Sequence, residues 1–268
     1  MIESGGPALP YGIWAAALPI AAFVIFALWE FLTPRRTLVL GRKPRWITHG
    51  IFFAINAALG RALLSLVTVA GAAAWAQQHA FGLFHLTSWP AWTEILLAFV
   101  ALDLAVWLQH VLMHKSPFLW RMHKVHHSDR DLDVSSALRF HPFELAVSVL
   151  YKSAWVAALG VPVETAVAFE IWLGVNALFN HSNIALPRPI DGFLRKFLVT
   201  PDYHFVHHSV HKSEQNTNFG FALTAWDRLA GYYQAESADG NDKQVVGLIE
   251  KQDERPGQAV WSLMLPLR

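Results

Sequence analysis

The sequence predicts an all-α integral membrane bundle of about four spans, or three spans and a helical hairpin, with its histidines gathered at one membrane face. Three observations carry this. Hydrophobic residues make up 54% of the chain and mean hydropathy is +0.30, too apolar for an ordinary soluble protein, and the apolar residues fall in long runs. Tryptophans flank those runs at Trp14, Trp29, Trp46, Trp75, Trp89 and Trp92, where an amphipathic ring sits well in the headgroup layer. Eleven of the fourteen histidines lie between His110 and His211, most of them at helical spacing.

The first run, residues 11–32, is long enough to cross a bilayer. Residues 1–10 before it carry Glu3 and no Lys or Arg, so they lack the basic start of a cleaved signal, and the run is expected to stay as an anchor. The second run, residues 47–76, is longer than a span needs and holds Arg61 near its middle. Either Arg61 faces the bundle interior, the preferred reading, or residues 47–60 lie at the interface. A third run, residues 92–113, ends on the first histidine box.

Residues 143–159 and 163–179 are two shorter runs parted by Gly160-Val161-Pro162 and interrupted by Lys152 and Glu170, and they read as a helical hairpin. The hairpin returns the chain, at Asn180-His181, to the side it left. Beyond about residue 201 the chain is mixed and polar, with a late apolar patch at 260–265 that is too short to span and is expected to dock on the membrane surface or on neighbouring helices. No internal repeat other than a duplicated box appears, so one domain is expected over 1–268: anchoring helices at 11–100, a histidine-box core at 101–232 and a C-terminal tail at 233–268.

Orientation follows from basic residues. The loop after the first run holds Arg35, Arg36, Arg42, Lys43 and Arg45, whereas residues 77–91 hold no Lys or Arg. That makes the first loop cytoplasmic, the N-terminus external, and the histidine boxes and C-terminus cytoplasmic, in the cell or inner membrane. A formal net charge of +1 without a basic stripe argues against a nucleic-acid partner. The absence of cysteine removes disulfides, iron–sulfur clusters and thiolate metal sites.

The chemistry lies in His110-x3-His114, His123-x2-His126-His127 and His204-x2-His207-His208. Positions i, i+3 and i+4 share a helix face, so each box aims its imidazoles at one place. At this histidine content one HxxHH string arises by chance about once in some thirty chains of this length, so two of them plus HxxxH point to ligation. Imidazole suits iron, copper, zinc and nickel. The eight box histidines and His181 are too many for one ion and suit two neighbouring ions with open positions. Carboxylates outside the ligands should orient the rings. Asp103, on the His110 face of the same helix, is the preferred candidate, with a buried partner for Arg61 as its structural alternative.

Asp202 reads as a helix N-cap for His204, and His141, before Pro142, as either a helix-entry residue or a group near the substrate. Asp103 and His141 are thus the candidates for catalytic roles beyond the ligands. His211 shares the last box's face or points to solvent, and His49, His79 and His85 are isolated. A zinc hydrolase would need an HExxH glutamate, yet Val111, Leu112 and Met113 fill that box. A metal or haem carrier would line its histidines across the bilayer instead of at one face.

Over residues 102–232 the chain resembles the fatty acid hydroxylase and sterol desaturase superfamily. The likeness runs through HxxxH, HxxHH, the string Ser135-Ser136-Ala137-Leu138-Arg139-Phe140-His141-Pro142-Phe143-Glu144, His181-Ser182-Asn183, the second HxxHH, Asn218-Phe219-Gly220 and Trp226-Asp227-Arg228. This resemblance implies membrane helices under a cytosolic helical cap and a non-haem di-iron centre that uses O2 to hydroxylate or desaturate a membrane lipid. It implies His110, His114, His123, His126, His127, His204, His207 and His208 as iron ligands, with His181 as a further one. Some members carry another histidine four positions from His181, where this chain has Ala177 and Ala185, so a last ligand would be water, His141 or Asn176. No flavin, haem or ferredoxin-like segment is visible, and a separate electron donor is implied.

Overall fold

The computed structural model describes residues 11–63, 68–241 and 243–268, and within them it is helical, with isolated bridges and no strand. The reading of residues 1–10 falls outside it. Helix α1 is Tyr11–Leu32, in keeping with the first apolar run, and its outer face exposes Ile13, Ile20, Ile25 and Leu28. Helix α4, Ala91–Lys115, is the third run and carries the first box in its last turns. Among the described residues, these two are the helices long and apolar enough to cross a membrane.

The second run is not one span. It divides into α2, Arg42–Leu63, and α3, Val69–Gln78, the latter opened by Thr68, whose Oγ1 accepts the Gly71 N–H at 2.8 Å. Residues 64–67 lie outside the description. Helix α2 carries Arg45, Thr48, His49, Phe52 and Asn56 at three- and four-residue spacing, and that stripe packs along the histidine-bearing side of the molecule. Thr48 donates to Gly257 O (2.7 Å) and Asn56 to Phe140 O (2.9 Å). The polar stripe needs polar partners, and α2 finds them in the segments that it packs against. Arg61, expected to face inward, is exposed at the end of α2.

Helix α5, Pro117–His127, follows α4 after Ser116, which caps it with Pro117 in the first turn. A short 3-10 turn, Val134–Leu138, leads to α6, Pro142–Leu159, and α7, Val163–His181, the expected hairpin. Gly160 closes α6 at φ +72, and a Cβ there would meet Phe81 O at 2.8 Å, so both its conformation and its neighbour require glycine. Helices α3, α4, α6 and α7 share a core of Val69, Ala73, Leu102, Val156, Phe169 and Leu173.

The remaining helices are short: α8 Arg188–Leu194, α9 Pro201–His207, α10 Lys212–Gln215, α11 Ala225–Ala230 and α12 Ala259–Met264. The late apolar patch docks on helices. Trp261 and Leu265 bury against Phe52 of α2 and Val125 of α5.

Candidate metal centre

The loop after α1 and the first turn of α2 are bound to the histidine-bearing side by hydrogen bonds and ion pairs. Arg45 is fully buried, with Nε and Nη2 donating to the two Asp129 oxygens at 2.8 Å each and further bonds to Asp133 and Ser136. Burial alone would push Asp129 up; the Arg45 guanidinium overrides this and holds the carboxyl well below its usual range. Asp131 accepts Val39 N (2.7 Å) and Leu40 N (2.8 Å). His49, expected to stand alone, is buried with Nδ1 2.7 Å from Ser135 Oγ and Nε2 3.2 Å from Asp129. This network fixes the loop that follows His126-His127, and so the end of α5.

Helix α9 is capped by Thr200, whose Oγ1 accepts Tyr203 N (3.4 Å), and not by Asp202, which pairs with Arg35. The register explains the difference. Asp202 stands inside the first turn, where its charge suits the positive end of the helix.

All nine histidines expected to be ligands converge, in two groups that could each hold a metal ion. His110, His114, His123, His127 and His207 form one; His126, His181, His204 and His208 form the other, with candidate ligand atoms within 4.8 Å of one another in each. The two HxxHH boxes therefore divide, where each was expected to aim at one place, while His110 and His114 stay together. At about 100° per residue, positions four apart nearly superpose, whereas the intervening i+3 position points about 60° to the other side. So His123 and His127 join one group and His126 the other, while His204 and His208 join the second and His207 the first. The groups adjoin, with His127 stacked on His208 at 4.4 Å between ring centroids.

Within the groups, Nε2 atoms face each other: His110 and His123 at 3.1 Å, His126 and His181 at 3.0 Å, His181 and His204 at 3.1 Å, and His204 and His208 at 3.1 Å. Nitrogens bound at about 2.1 Å to one ion, at right angles, would stand about 3 Å apart. Further buried nitrogens, His114 Nε2 and His207 Nε2 among them, have no hydrogen-bond partner. Orphaned acceptors gathered this closely fit a bound cation.

Protonation favours the same use. Burial, aided by the neighbouring rings, holds His126, His127, His204 and His208 well below the ordinary histidine range, and burial pushes His207 down to about 3. Neutral rings keep the lone pair that a metal needs.

The opposite ring edges are fixed from outside. Nδ1 of His110 donates to Phe219 O (2.7 Å), of His181 to Ala177 O (2.7 Å), of His207 to Thr217 O (2.8 Å) and of His123 to Glu144 Oε1 (2.6 Å). Each bond sets the tautomer that leaves Nε2 free. Two of these acceptors belong to the segment 217–220, which Asp227 holds. Its Oδ1 accepts Trp107 Nε1 (2.9 Å) and Phe219 N (3.0 Å), and its Oδ2 accepts Tyr203 OH (2.7 Å) and Gly220 N (2.6 Å). A Cβ on Gly220 would meet Leu223 O at 2.8 Å, which explains the glycine of Asn218-Phe219-Gly220.

The two candidates beyond the ligands, Asp103 and His141, stand apart from the rings, and His141 takes its helix-entry reading. Asp103 is buried but accepts Trp226 Nε1 at 2.7 Å and reaches neither a ring of the two groups nor Arg61; the carboxylate on a histidine is Glu144, which enters from α6 and not from the box's own helix. Nothing in the spacing around Glu144 announces this, because a cross-helix contact has no local period. His141 caps α6 by accepting Phe143 N at 3.3 Å and lies outside both groups, and Asn176 donates to Trp172 O (2.8 Å) within α7. His211 pairs with Asp239 at 2.7 Å, away from the site.

A cavity of about 270 Å³ opens beside His110 and His123, lined by Val106, Met113, Leu145, Leu173 and Phe221 together with the polar Gln109, Ser148, Lys152 and Glu170. It lies among α4, α6 and α7, so an apolar chain in it would reach the histidines from the bundle.

The sequence profile of the fatty acid hydroxylase family matches residues 95–232, just over half of the chain. Among curated proteins, the chain is 27% identical over 252 residues to an ornithine lipid hydroxylase of Rhizobium tropici, covering 89% of this chain and 73% of that one. It is 27% identical over 173 residues to the alkylglycerol monooxygenase of Homo sapiens, covering 63% of this chain and 36% of the relative, so it spans only about a third of that protein. Cholesterol 25-hydroxylase of Homo sapiens is 30% identical over 150 residues, 54% of this chain and 52% of its own. No solved structure matches.

Proposed function

This chain belongs to the fatty acid hydroxylase family, and on that premise we propose that it oxidises an unactivated C–H bond of a membrane lipid with O2, by hydroxylation or desaturation, at two irons. The nine histidines of the two groups are the proposed ligands. The observation that carries the proposal is their meeting, as two adjoining groups, beside an apolar cavity among bundle helices. The named relatives act on lipids, which supports the substrate class.

The iron pair would supply O2 activation and hydrogen abstraction. This chain's residues do the rest. The imidazoles of the two groups would hold the metals. Glu144, Phe219 O, Thr217 O and Ala177 O lock the rings. Val106, Met113, Leu173 and Phe221 bind a hydrocarbon chain beside His110 and His123 and keep water from it. In hydroxylation one oxygen atom ends in the product and the other in water, and the two further electrons come from a separate redox protein or reductant. The whole chain is proposed to act as one membrane-embedded domain, with the N-terminus outside and the histidines and C-terminal segment cytoplasmic.

Purified protein should hold about two irons per chain, and lipids of cells with the chain should show a product shifted by one oxygen or by two hydrogens. A preparation active after iron removal would refute the proposal. Loss of lipid oxidation in His123→Ala with cellular metal uptake unchanged would set aside a carrier; a hydrolytic product would favour a zinc enzyme instead.

A further inference from the structure

Lys152 and Glu170 stand halfway along the α6–α7 hairpin, in segments whose other residues are largely apolar. The Lys152 ammonium donates to both Glu170 oxygens, at 2.7 and 2.6 Å. Charges placed among lipid-facing helices are costly to keep, which makes such a pair a functional candidate. The function depends on what lies at either side of it. On one side is the cavity beside His110 and His123, for which Lys152 and Glu170 form the end wall. On the other is a second, mostly apolar cavity, about 410 Å³, lined by Ala15, Ala57, Val149, Ala166 and Ile171 and also by Arg61 and Thr68. Leu145 and Glu170 line both.

We propose that the Lys152–Glu170 pair is the floor of the substrate cavity and sets the length of hydrocarbon chain admitted beside the histidines. This rests on the lipid-oxidation reading above. From Glu144, which holds His123, to Lys152 is eight residues of α6, or about 12 Å of depth. A chain entering from the histidine end runs along mostly apolar walls, past Gln109 and Ser148, which lie 3.4 Å apart, until it meets the pair. Beyond lies the second cavity, with Glu170 and Leu145 in the wall between the two. Because the two charges satisfy each other, they repel a methyl end rather than offer a free donor or acceptor to a polar group.

The test uses purified full-length protein in detergent and a homologous series of saturated fatty acids competing with a fluorescent fatty acid. In the wild type, affinity should rise about fourfold per added methylene until the chain reaches the pair, then level off. The small apolar pair Lys152→Ala with Glu170→Ala joins the two cavities, so the rise should continue to longer chains. Lys152→Leu with Glu170→Leu removes the charges but keeps the plug, and should retain the wild-type plateau. Ser148→Phe, one turn closer to the histidines, should bring the plateau to shorter chains and tests the floor without touching the pair.

An unchanged plateau in the Ala pair, or loss of all binding in the Leu pair, would overturn the ruler; the second result would mean that the charges recognise a polar group. A lengthened profile in a protein that oxidises no lipid would support the ruler while overturning the reaction. Oxidised lipids of unaltered chain length from cells carrying the Ala pair would do the reverse.

Discussion

Asp227 offers the sharpest test of how the site is held. It touches no ligand ring, yet its four acceptor contacts fix Phe219 and Gly220, and the same segment presents carbonyls to His110 and His207. In Asp227→Ala, four buried donors lose their partner, at about 1–3 kcal/mol each if water cannot reach them. Partial relaxation makes roughly 4 kcal/mol a fair expectation for the whole. Asp227→Asn should cost less. With its carbonyl in the Oδ1 position it still serves Trp107 Nε1 and Phe219 N, and Tyr203 OH can turn to accept from the amide, which leaves only the Gly220 N–H orphaned, for about 1–3 kcal/mol. Thermal unfolding in detergent gives the order wild type, Asn, Ala. Metal analysis of the same samples should show the group containing His110 and His207 losing its ion first, so that the Ala variant binds about one metal per chain. An Ala variant with wild-type stability and full metal content would refute this account of the segment.

Glu144→Gln keeps an acceptor for His123 Nδ1 but removes the charge, and should lower metal affinity or turnover by about 10–100-fold with the fold intact, as read by iron titration and circular dichroism. His141→Asn preserves a capping side chain and should change stability by less than about 1 kcal/mol and leave lipid oxidation in place; an inactive, folded variant would restore a catalytic role. Acid should destabilise the metal-free protein. His126, His127, His204, His207 and His208 have folded-state pKa values below their unfolded value near 6.5, His207 at about 3, so below about pH 6.5 the unfolded chain binds more protons. Stability is therefore unaffected by these groups above that pH and falls as pH drops from 6.5 toward 3. Bound metal should move the loss to lower pH, and denaturant midpoints measured against pH with and without iron check both statements.

The spacing of the boxes, the Gly160 hairpin and the first and third apolar runs were legible because each is a local pattern: a helical period, a left-handed glycine or a stretch of apolar residues matched to a bilayer. Family membership was legible for the same reason, as an ordered string of short motifs. The α2–α3 division was not, because hydropathy alone reads the apolar residues of 47–76 as one stretch, while the polar stripe from Arg45 to Asn56 acquires meaning only from its partners at Asp129, Ser135, Phe140 and Gly257.

Composition and period thus picked out on their own the nine histidines that meet in space, since residue type and helical phase are properties of neighbours in sequence. Tertiary structure alone decided how those side chains are shared. It split each HxxHH box between two groups, brought Glu144 and not Asp103 to a ring, and gave His141 to a helix end. These outcomes depend on contacts between residues far apart in the chain, where packing and the need to satisfy every buried polar atom, with no periodic signal, choose the partner.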